Sequence, residues 1–456
     1  MTTHSVDVAI VGAGTSGCYA AAELADAGYD AVVIDRKDEE EAGHIACGDA
    51  LKGANNFPEA IPKSTLEPAF TNTDVDHGRF EAPRQGVELD IPVPGELAVI
   101  DRWEYGRILI DSAERAGARF HYDTVVQDVV QEDGVVTGLR ANRQGESVEY
   151  EAEMVLDCAG ALSILQDKTD FSDATFDTNV RYSQFSSAYR EIVEVDEPVE
   201  WSDALVFKPT KRSAGYLWYF PRTPTEINVG LGFQMSEEPM KLVGDLREDI
   251  SQRPEFENAT VVDKLGAALP TRRTYDSATA PGYIASGDAA AHVNPISGGG
   301  IAGAAYAGTY AAQQAMEAIE ADAADDEAAL WAYNSRVMDH FGGRYAALDV
   351  YNVFSTAYEI DDLSALAGSL PGKQIADALY SGSSRTSPLL ALKTLWKARG
   401  HLDTLVDLYS TKQLADRLLA HYEEYPDTPD GFEAWRSERD SIMEDVYAET
   451  GAEPKY

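Results

Sequence analysis

Apolar positions along this chain follow two different periods. A nearly continuous apolar run, Val6 to Val11, leads into a glycine turn, a small-residue stretch and a second run, Ala31-Val32-Val33-Ile34. Short continuous runs of this kind are what strands buried on both faces show. Residues 6–36 therefore read as one strand–helix–strand unit. A looser region bearing Pro and Gly follows, to residue 98 or so. Asp101 to Ala116 has a helical pattern, with Trp103, Ile108, Leu109 and Ile110 set among charges. Thr124 to Val130 and Val135 to Arg140 read as a hairpin around Asp133-Gly134, and Met154 to Gly160 as a buried strand ending in a glycine turn. From residue 175 to 275 the pattern is one of alternating strands separated by turn signals. Gly282 to Asp288 is again an apolar strand and loop, and a long helix of Ala and Gly starts near Gly300. Beyond 331 the chain is helical and acidic.

This pattern predicts an α/β chain. A discontinuous, Rossmann-type nucleotide-binding domain takes residues 1–160, with an insert at 50–98, and is completed by 278–330. A β-rich substrate domain takes 161–277, and a helical C-terminal region takes 331–456. The first turn carries the chemistry. Gly12-Ala13-Gly14-Thr15-Ser16-Gly17 lies between strand and helix, and Asp35 closes the second strand. In such a turn the first glycine permits the bend, the second lets backbone approach a pyrophosphate, and the third lets helix pack on sheet. The helix N-terminus offers free N–H groups to phosphate, and Asp35 can accept ribose hydroxyls.

Charge removes one class of partner. The 456 residues hold 78 acids and 37 bases, a net charge of −41, which excludes a nucleic-acid footprint. The acids are spread along the chain, as in Asp38-Glu39-Glu40-Glu41, and read as solvated surface suited to a salt-rich cytoplasm. Three cysteines, Cys18, Cys47 and Cys158, fit a reducing compartment without a disulfide framework. The first strand begins close to Met1, leaving no room for a signal peptide, and no apolar run reaches membrane-spanning length. The expected location is cytoplasmic, with peripheral contact on the inner membrane face as an open reading. The eight histidines show no ligand spacing, so no metal is expected; His292 is a minor site candidate.

A second motif lies downstream. Ser286-Gly287-Asp288 closes a strand, and Pro295-Ile296-Ser297-Gly298-Gly299-Gly300-Ile301 opens a helix. Paired with the first fingerprint, it resembles FAD-dependent oxidoreductases of the glutathione-reductase type, in their hydroxylase-like branch. The resemblance implies FAD as cofactor. It implies contacts from Gly12, Gly14, Ser16, Gly17, Asp35, Arg36, Cys47, Gly48, Arg102, Gly160, Asp288, Pro295, Gly298, Gly299, Gly300 and Ile301. Ala159 stands before Gly160 where that branch has a plain Asp-Gly turn.

The β-rich region contains Tyr216-Leu217-Trp218-Tyr219-Phe220-Pro221, then Gly230-Leu231-Gly232. Side chains alternate in a strand, so Tyr216, Trp218 and Phe220 share one face. Beside them the glycines leave a gap suited to a long apolar ligand, although such a face also suits a plain packed core. This pattern, with Cys47-Gly48, resembles the geranylgeranyl reductases, flavoenzymes that saturate isoprenoid chains. The resemblance spans residues 6–310. With the acidic composition it suggests a halophilic archaeal member acting on membrane ether lipids. It implies Tyr216, Trp218, Phe220, Gly230 and Gly232 as substrate-binding residues, and Cys47 as the catalytic candidate, a proton donor or a residue that shapes the site. Cys18 reads as a small buried hydrophobe. The implied partners are a polyprenyl lipid substrate and an electron donor, ferredoxin or NAD(P)H.

Basic clusters gain interest in so acidic a chain. Lys208, Lys211 and Arg212 precede the aromatic motif, and Lys393, Lys397 and Arg399 form a basic amphipathic pattern. That pattern fits a membrane-interface helix or a core helix with a solvated edge. Two rivals share the cofactor motifs: a flavin monooxygenase or halogenase, and a non-enzymatic electron-transfer flavoprotein serving quinone. The charge makes one expectation independent of activity. In about 1 M KCl the Debye length falls to about 3 Å and self-repulsion fades, so the thermal midpoint should rise from dilute to molar KCl. A midpoint that stays put would remove the salt-rich reading.

Overall fold

A computed structural model describes residues 2–52, 57–93, 95–211, 214–235, 238–381 and 402–456. Its organising strand is Thr2–Val11, where Val8, Ala9 and Ile10 have no exposed surface. It pairs in parallel with Glu146–Asp157 on one side and Ala31–Ile34 on the other. The sheet continues to Arg119–His121 at one end and through Tyr283–Ala285 to Thr279–Ala280 at the other. The hairpin Thr124–Glu132/Val135–Arg143 hydrogen-bonds to the early part of Glu146–Asp157. A sheet so nearly parallel must be covered. Two of the helices packed on it, Thr15–Asp26 and Ile301–Glu320, are made largely of small residues and approach closely. A Cβ added at Gly308 would lie 2.2 Å from the Ser16 carbonyl oxygen.

The second sheet has seven strands, in the order Thr260–Pro270, Phe185–Glu194, Glu226–Gln234, Gly215–Pro221, Ala204–Pro209, His77–Ala82 and Val87–Pro92. All neighbours are antiparallel except Ala204–Pro209 and His77–Ala82. Residues 77–92, expected as part of an insert in the nucleotide-binding domain, thus belong to the β-rich sheet. A small three-stranded sheet, Ala50–Lys52, Leu97–Ile100 and Phe70–Asn72, lies between the large ones in sequence.

Helices fill the rest of the described chain. Glu327–Val337 and Gly343–Thr356 are joined by a π-helical turn, Met338–Gly342. With Leu402–Tyr422 and Phe432–Thr450 they bury Trp331, Leu418, Phe432 and Trp435 in one cluster. Helices Ile360–Ser369 and Gly372–Ser381 lie against the edge strand Val87–Pro92.

A buried ionic cluster ties these helices to the segment that links the two sheets. Arg272 pairs with Asp177 at 2.6 Å, Arg439 and Arg273 both reach Asp276, and Lys455 pairs with Asp349 at 2.7 Å. All are buried. Breaking one buried pair strands its partner's charge and costs about 3–5 kcal/mol. Asp276→Asn should therefore lower the unfolding free energy by about that much in urea titrations at neutral pH in molar KCl. Burial opposes ionisation of Asp276, but Arg439 and Arg273 outweigh it and hold the carboxyl well below the usual range. Its stabilisation is therefore present above the unfolded value of about 3.9 and fades as pH falls below it. A wild-type and variant difference that does not shrink in acid would contradict this.

Candidate active site

Backbone contacts fix the glycine turn. Gly12 sits at φ +103°, and a Cβ there would lie 2.4 Å from the Cys158 carbonyl oxygen. At Gly17 a Cβ would lie 2.0 Å from the Gly12 oxygen. Gly14 differs, since the nearest atom to an added Cβ is an Ile45 methyl carbon at 3.8 Å. Nothing in the chain demands glycine there, which leaves the approach of a ligand as the reason for it. No side chain caps the helix that Gly14 begins, so its first N–H groups are left for a ligand. The Asp35 carboxylate accepts from the Ala13 N–H at 2.7 Å and the Lys37 N–H at 2.9 Å, which sets it beside the turn. Arg36 is exposed next to it, and Gly160, at φ +86°, has open space around it. Ser16 turns inward. Its hydroxyl donates to Ser286 Oγ at 2.7 Å and receives the Cys158 thiol at 3.5 Å, so only its backbone is left for a ligand.

Arg102 supplies the test of whether a dinucleotide fits. It begins the helix Arg102–Ala116, whose N-terminus is capped by Asp101. Its guanidinium is buried, and Nη2 donates to Thr15 Oγ1 at 3.1 Å. Nη1 is buried with no partner in the chain. An unpaired buried donor costs about 1–3 kcal/mol, more when charged. A pyrophosphate between this guanidinium and the open helix N-terminus would satisfy both. Asp288, half-buried at the end of the second motif's strand, completes the cradle; burial pushes its carboxyl up to about 6 while Arg102 pulls it down. These residues fit FAD.

The loop at 291–300 is held from within and from neighbouring elements. Asn294 Oδ1 accepts from the Ile296 and Ser297 N–H groups at 3.0 and 3.1 Å. Asn352 donates to the Pro295 carbonyl at 3.1 Å. Gly298 and Gly299 form the crest, and Gly300 precedes Ile301 at the helix start, where a Cβ would lie 3.4 Å from Asp288 Oδ1. His292 is fully buried and neutral, lowered to about 3 by burial, and its Nδ1 accepts the Gly287 N–H at 3.0 Å. It pins the loop through Nδ1, while its Nε2 is buried without a partner among the described residues.

The aromatic strand meets this assembly from the other side. A Cβ on Gly48 would lie 3.3 Å from a Phe220 ring carbon and 3.4 Å from Trp218 Nε1, so Cys47-Gly48 rests directly on the aromatic face. Asn228 locks the contact, donating to the Cys47 carbonyl at 2.8 Å while accepting the Trp218 indole N–H at 2.9 Å. Tyr216 donates to the Ser297 carbonyl at 2.6 Å and joins the strand to the glycine loop. The Cys47 thiol is half-buried, and burial, then the nearby Asp49, pushes it up, so it holds its proton at neutral pH. Asp49 is fully buried and pairs with Arg222 at 2.7 Å.

One expectation needs correction. The gap at Gly230 is filled by this chain's own tryptophan, since a Cβ there would lie 2.3 Å from Trp218 Cζ2. Trp218 and Phe220 pack with Val75, Leu97, Val99 and Leu205, which is the core arrangement. Gly232, opposite Tyr216, keeps its room, with nothing within 3.5 Å of an added Cβ. Sequence reasoning did not single out Asn228, Asp49 or Arg222. The signal for Asn228 was an amide among apolar residues, opposite Phe220 in the strand pairing. Of the basic clusters, Lys208 is held by Asp249 at 2.6 Å and Lys211 by Glu248 at 2.5 Å. Arg212, Lys393, Lys397 and Arg399 lie outside the described residues. Among the described residues no helix is long and apolar enough to cross a membrane.

Several known proteins are similar to this chain. The digeranylgeranylglycerophospholipid reductase of Sulfolobus acidocaldarius is 25% identical over 96% of this chain and 97% of its own. That of Methanothrix thermoacetophila is 29% identical over 86% of this chain and 98% of its own. The crystal structure of a geranylgeranyl bacteriochlorophyll reductase-like protein from Thermoplasma acidophilum superposes with a TM-score of 0.71 at 23% identity, covering 90% of this chain and all of that one. A flavin-dependent brominase shares the fold more loosely, with a TM-score of 0.61 at 16% identity over 96% of this chain and 98% of that one. Residues 5–336 match the model of the FAD binding domain, and with the Arg102 cradle this establishes that the chain belongs to that family and takes FAD as its cofactor.

Proposed function

We propose that this protein is a flavin-dependent reductase that saturates C=C bonds of geranylgeranyl chains in archaeal isoprenoid ether lipids. The observation that carries the reading is the seating of Cys47-Gly48 on the Trp218–Phe220 face, with Tyr216 reaching the glycine loop. It brings an apolar wall, a protonated thiol and the cofactor cradle into one place. The names of the Sulfolobus and Methanothrix relatives agree with it.

When bound, reduced FAD supplies a hydride, which the protein's side chains cannot. Arg102 and the helix N-termini at Gly14 and Ile301 would hold its anionic parts, and Asp35 and Asp288 would take its hydroxyls. An isolated alkene offers little to hydrogen-bond, so positioning and exclusion of water dominate. The cluster around Trp218 and Phe220 keeps water from the face next to Cys47, and Tyr216 and Gly232 border the route of the chain. Cys47 holds a proton on Sγ and gives it to the carbon opposite the one that receives hydride. Asn228 positions Cys47 by gripping its carbonyl. Electrons come from ferredoxin or from NAD(P)H held without a fingerprint of its own. The protein meets its lipid substrate peripherally at the membrane surface.

Dithionite-reduced protein incubated with geranylgeranyl lipid should add two hydrogens per double bond, read by mass spectrometry. Oxygenated products with no added hydrogen would instead favour the monooxygenase reading. Loss of a positioned proton donor costs about 10²–10⁴ in rate. Cys47→Ala should therefore slow turnover by at least about 100-fold while retaining its flavin absorbance. Unchanged turnover would remove Cys47 as the proton source.

A further inference from the structure

Many surface cations among the described residues pair with carboxylates. Arg417 pairs with Glu438 and Asp445, Arg436 with Glu433, Arg119 with Asp30 and Lys63 with Glu96. Three basic side chains on one helical rod cluster without such a partner. Arg336 ends the helix Glu327–Val337, His340 lies in the π-helical turn, and Arg344 opens the helix Gly343–Thr356. Spaced four residues apart, they run along one side of the rod. Neither arginine forms an ion pair among the described residues, and Arg344 Nε is buried without a partner. Asp339, on the same turn, pairs with neither. Two tyrosines of the helix Ile301–Glu320 complete the surface. Arg336 lies over the Tyr310 ring at 5.6 Å, Tyr310 meets His340 Nδ1 at 3.1 Å, and Tyr306 stacks edge-on against His340 at 4.4 Å.

The group adjoins the candidate active site from two directions. Lys52 stands close enough to Arg344 that burial and that charge together lower its ammonium to about 8, and the same two influences lower His340. Lys52 ends the strand Ala50–Lys52, which runs on from Cys47-Gly48-Asp49. Five extended residues reach at most about 16 Å, a length to be bridged by a prenyl chain. On the other side Tyr345, next to Arg344, sits under the first turn of Ile301–Glu320, its hydroxyl 3.5 Å from a Cβ added at Gly303. Helical π-turns are frequent at functional sites, and this one gathers two arginines and a histidine against two tyrosines in a chain of net charge −41.

We propose that Arg336, His340 and Arg344 bind the phosphate or diphosphate headgroup of the prenyl substrate, leaving its chain to extend toward Cys47. This rests on the reductase reading above. Arginine matches phosphate oxygens in geometry as well as charge.

The test compares geranylgeranyl diphosphate with the uncharged alcohol geranylgeraniol. The enzyme is dithionite-reduced holoenzyme, so no nicotinamide phosphate is present, at the lowest KCl concentration at which the protein stays folded. The kcat/KM ratio of diphosphate to alcohol should fall roughly tenfold in the Arg336→Gln/Arg344→Gln double variant, the size expected for two lost charge contacts. Inorganic diphosphate should compete with the diphosphate substrate in the wild-type protein, a measurement that needs no variant. A ratio that does not change, or no competition by inorganic diphosphate, overturns the assignment while hydrogenation by the wild type upholds the reductase reading. If the wild type hydrogenates neither chain, that reading falls and the headgroup assignment falls with it.

Discussion

One buried amide holds the two halves of the site together. Asn228 has no exposed surface and uses both ends of its side chain, one on the Trp218 indole and one on the Cys47 carbonyl. A buried amide must be paired, and leaving either end unpaired costs more than the bond contributes when made. The aromatic strand and the cysteine loop therefore cannot separate without leaving a polar group stranded in an apolar cluster. The second tie, from Tyr216 to Ser297, joins the same strand to the cofactor loop. Three segments far apart in sequence are in this way held as one wall, and the chemistry proposed for Cys47 depends on that wall staying closed to water.

The fold spends its cations unevenly. Some are buried in the ionic cluster around Asp276 and Asp349, where each has a carboxylate in reach. Arg102 is buried with one side unpaired beside the glycine turn. Others pair on the surface. A buried cation without a carboxylate needs a reason, because an uncompensated charge out of water is costly. At Arg102 the family match to an FAD binding domain supplies that reason.

What was legible in the sequence was local. The turn at Gly12–Gly17 is specified by residues adjacent in the chain, and its steric logic, a Cβ meeting the Gly12 oxygen or the Cys158 carbonyl, is independent of the rest of the protein. The aromatic face of Gly215–Pro221 was legible for the same reason, since alternation is a property of one strand. What lies across from that face was not. The space at Gly230 looked open because the sequence gives no sign that Trp218, on the neighbouring strand, fills it. Residues 77–92 read only as part of a looser region, because their place in a sheet depends on a parallel pairing with a segment more than a hundred residues away. Ser16 was read by its place in the fingerprint, yet its hydroxyl is taken by Ser286, 270 positions on. His292 lay in the right loop, and only the structure shows that its Nδ1 serves the backbone.

The unused donor on Arg102 links the cofactor to the whole fold. In the protein alone, Nη1 is buried with nothing to bond, and the first-turn N–H groups at Gly14 lack a cap. Each is a cost carried by the folded state and absent from the unfolded one, where water satisfies both. A bound dinucleotide removes these costs only in the folded state, so its binding energy adds to stability by mass action. Helices Thr15–Asp26 and Ile301–Glu320 both present their N-termini toward that site and pack on each other through Gly308. Satisfying one end therefore steadies the other, and the loop at 294–300, gripped by Tyr216, passes that order on to the aromatic wall. The cofactor cradle and the apolar wall are thus one mechanical unit, with the contact at Tyr216 as the joint between them.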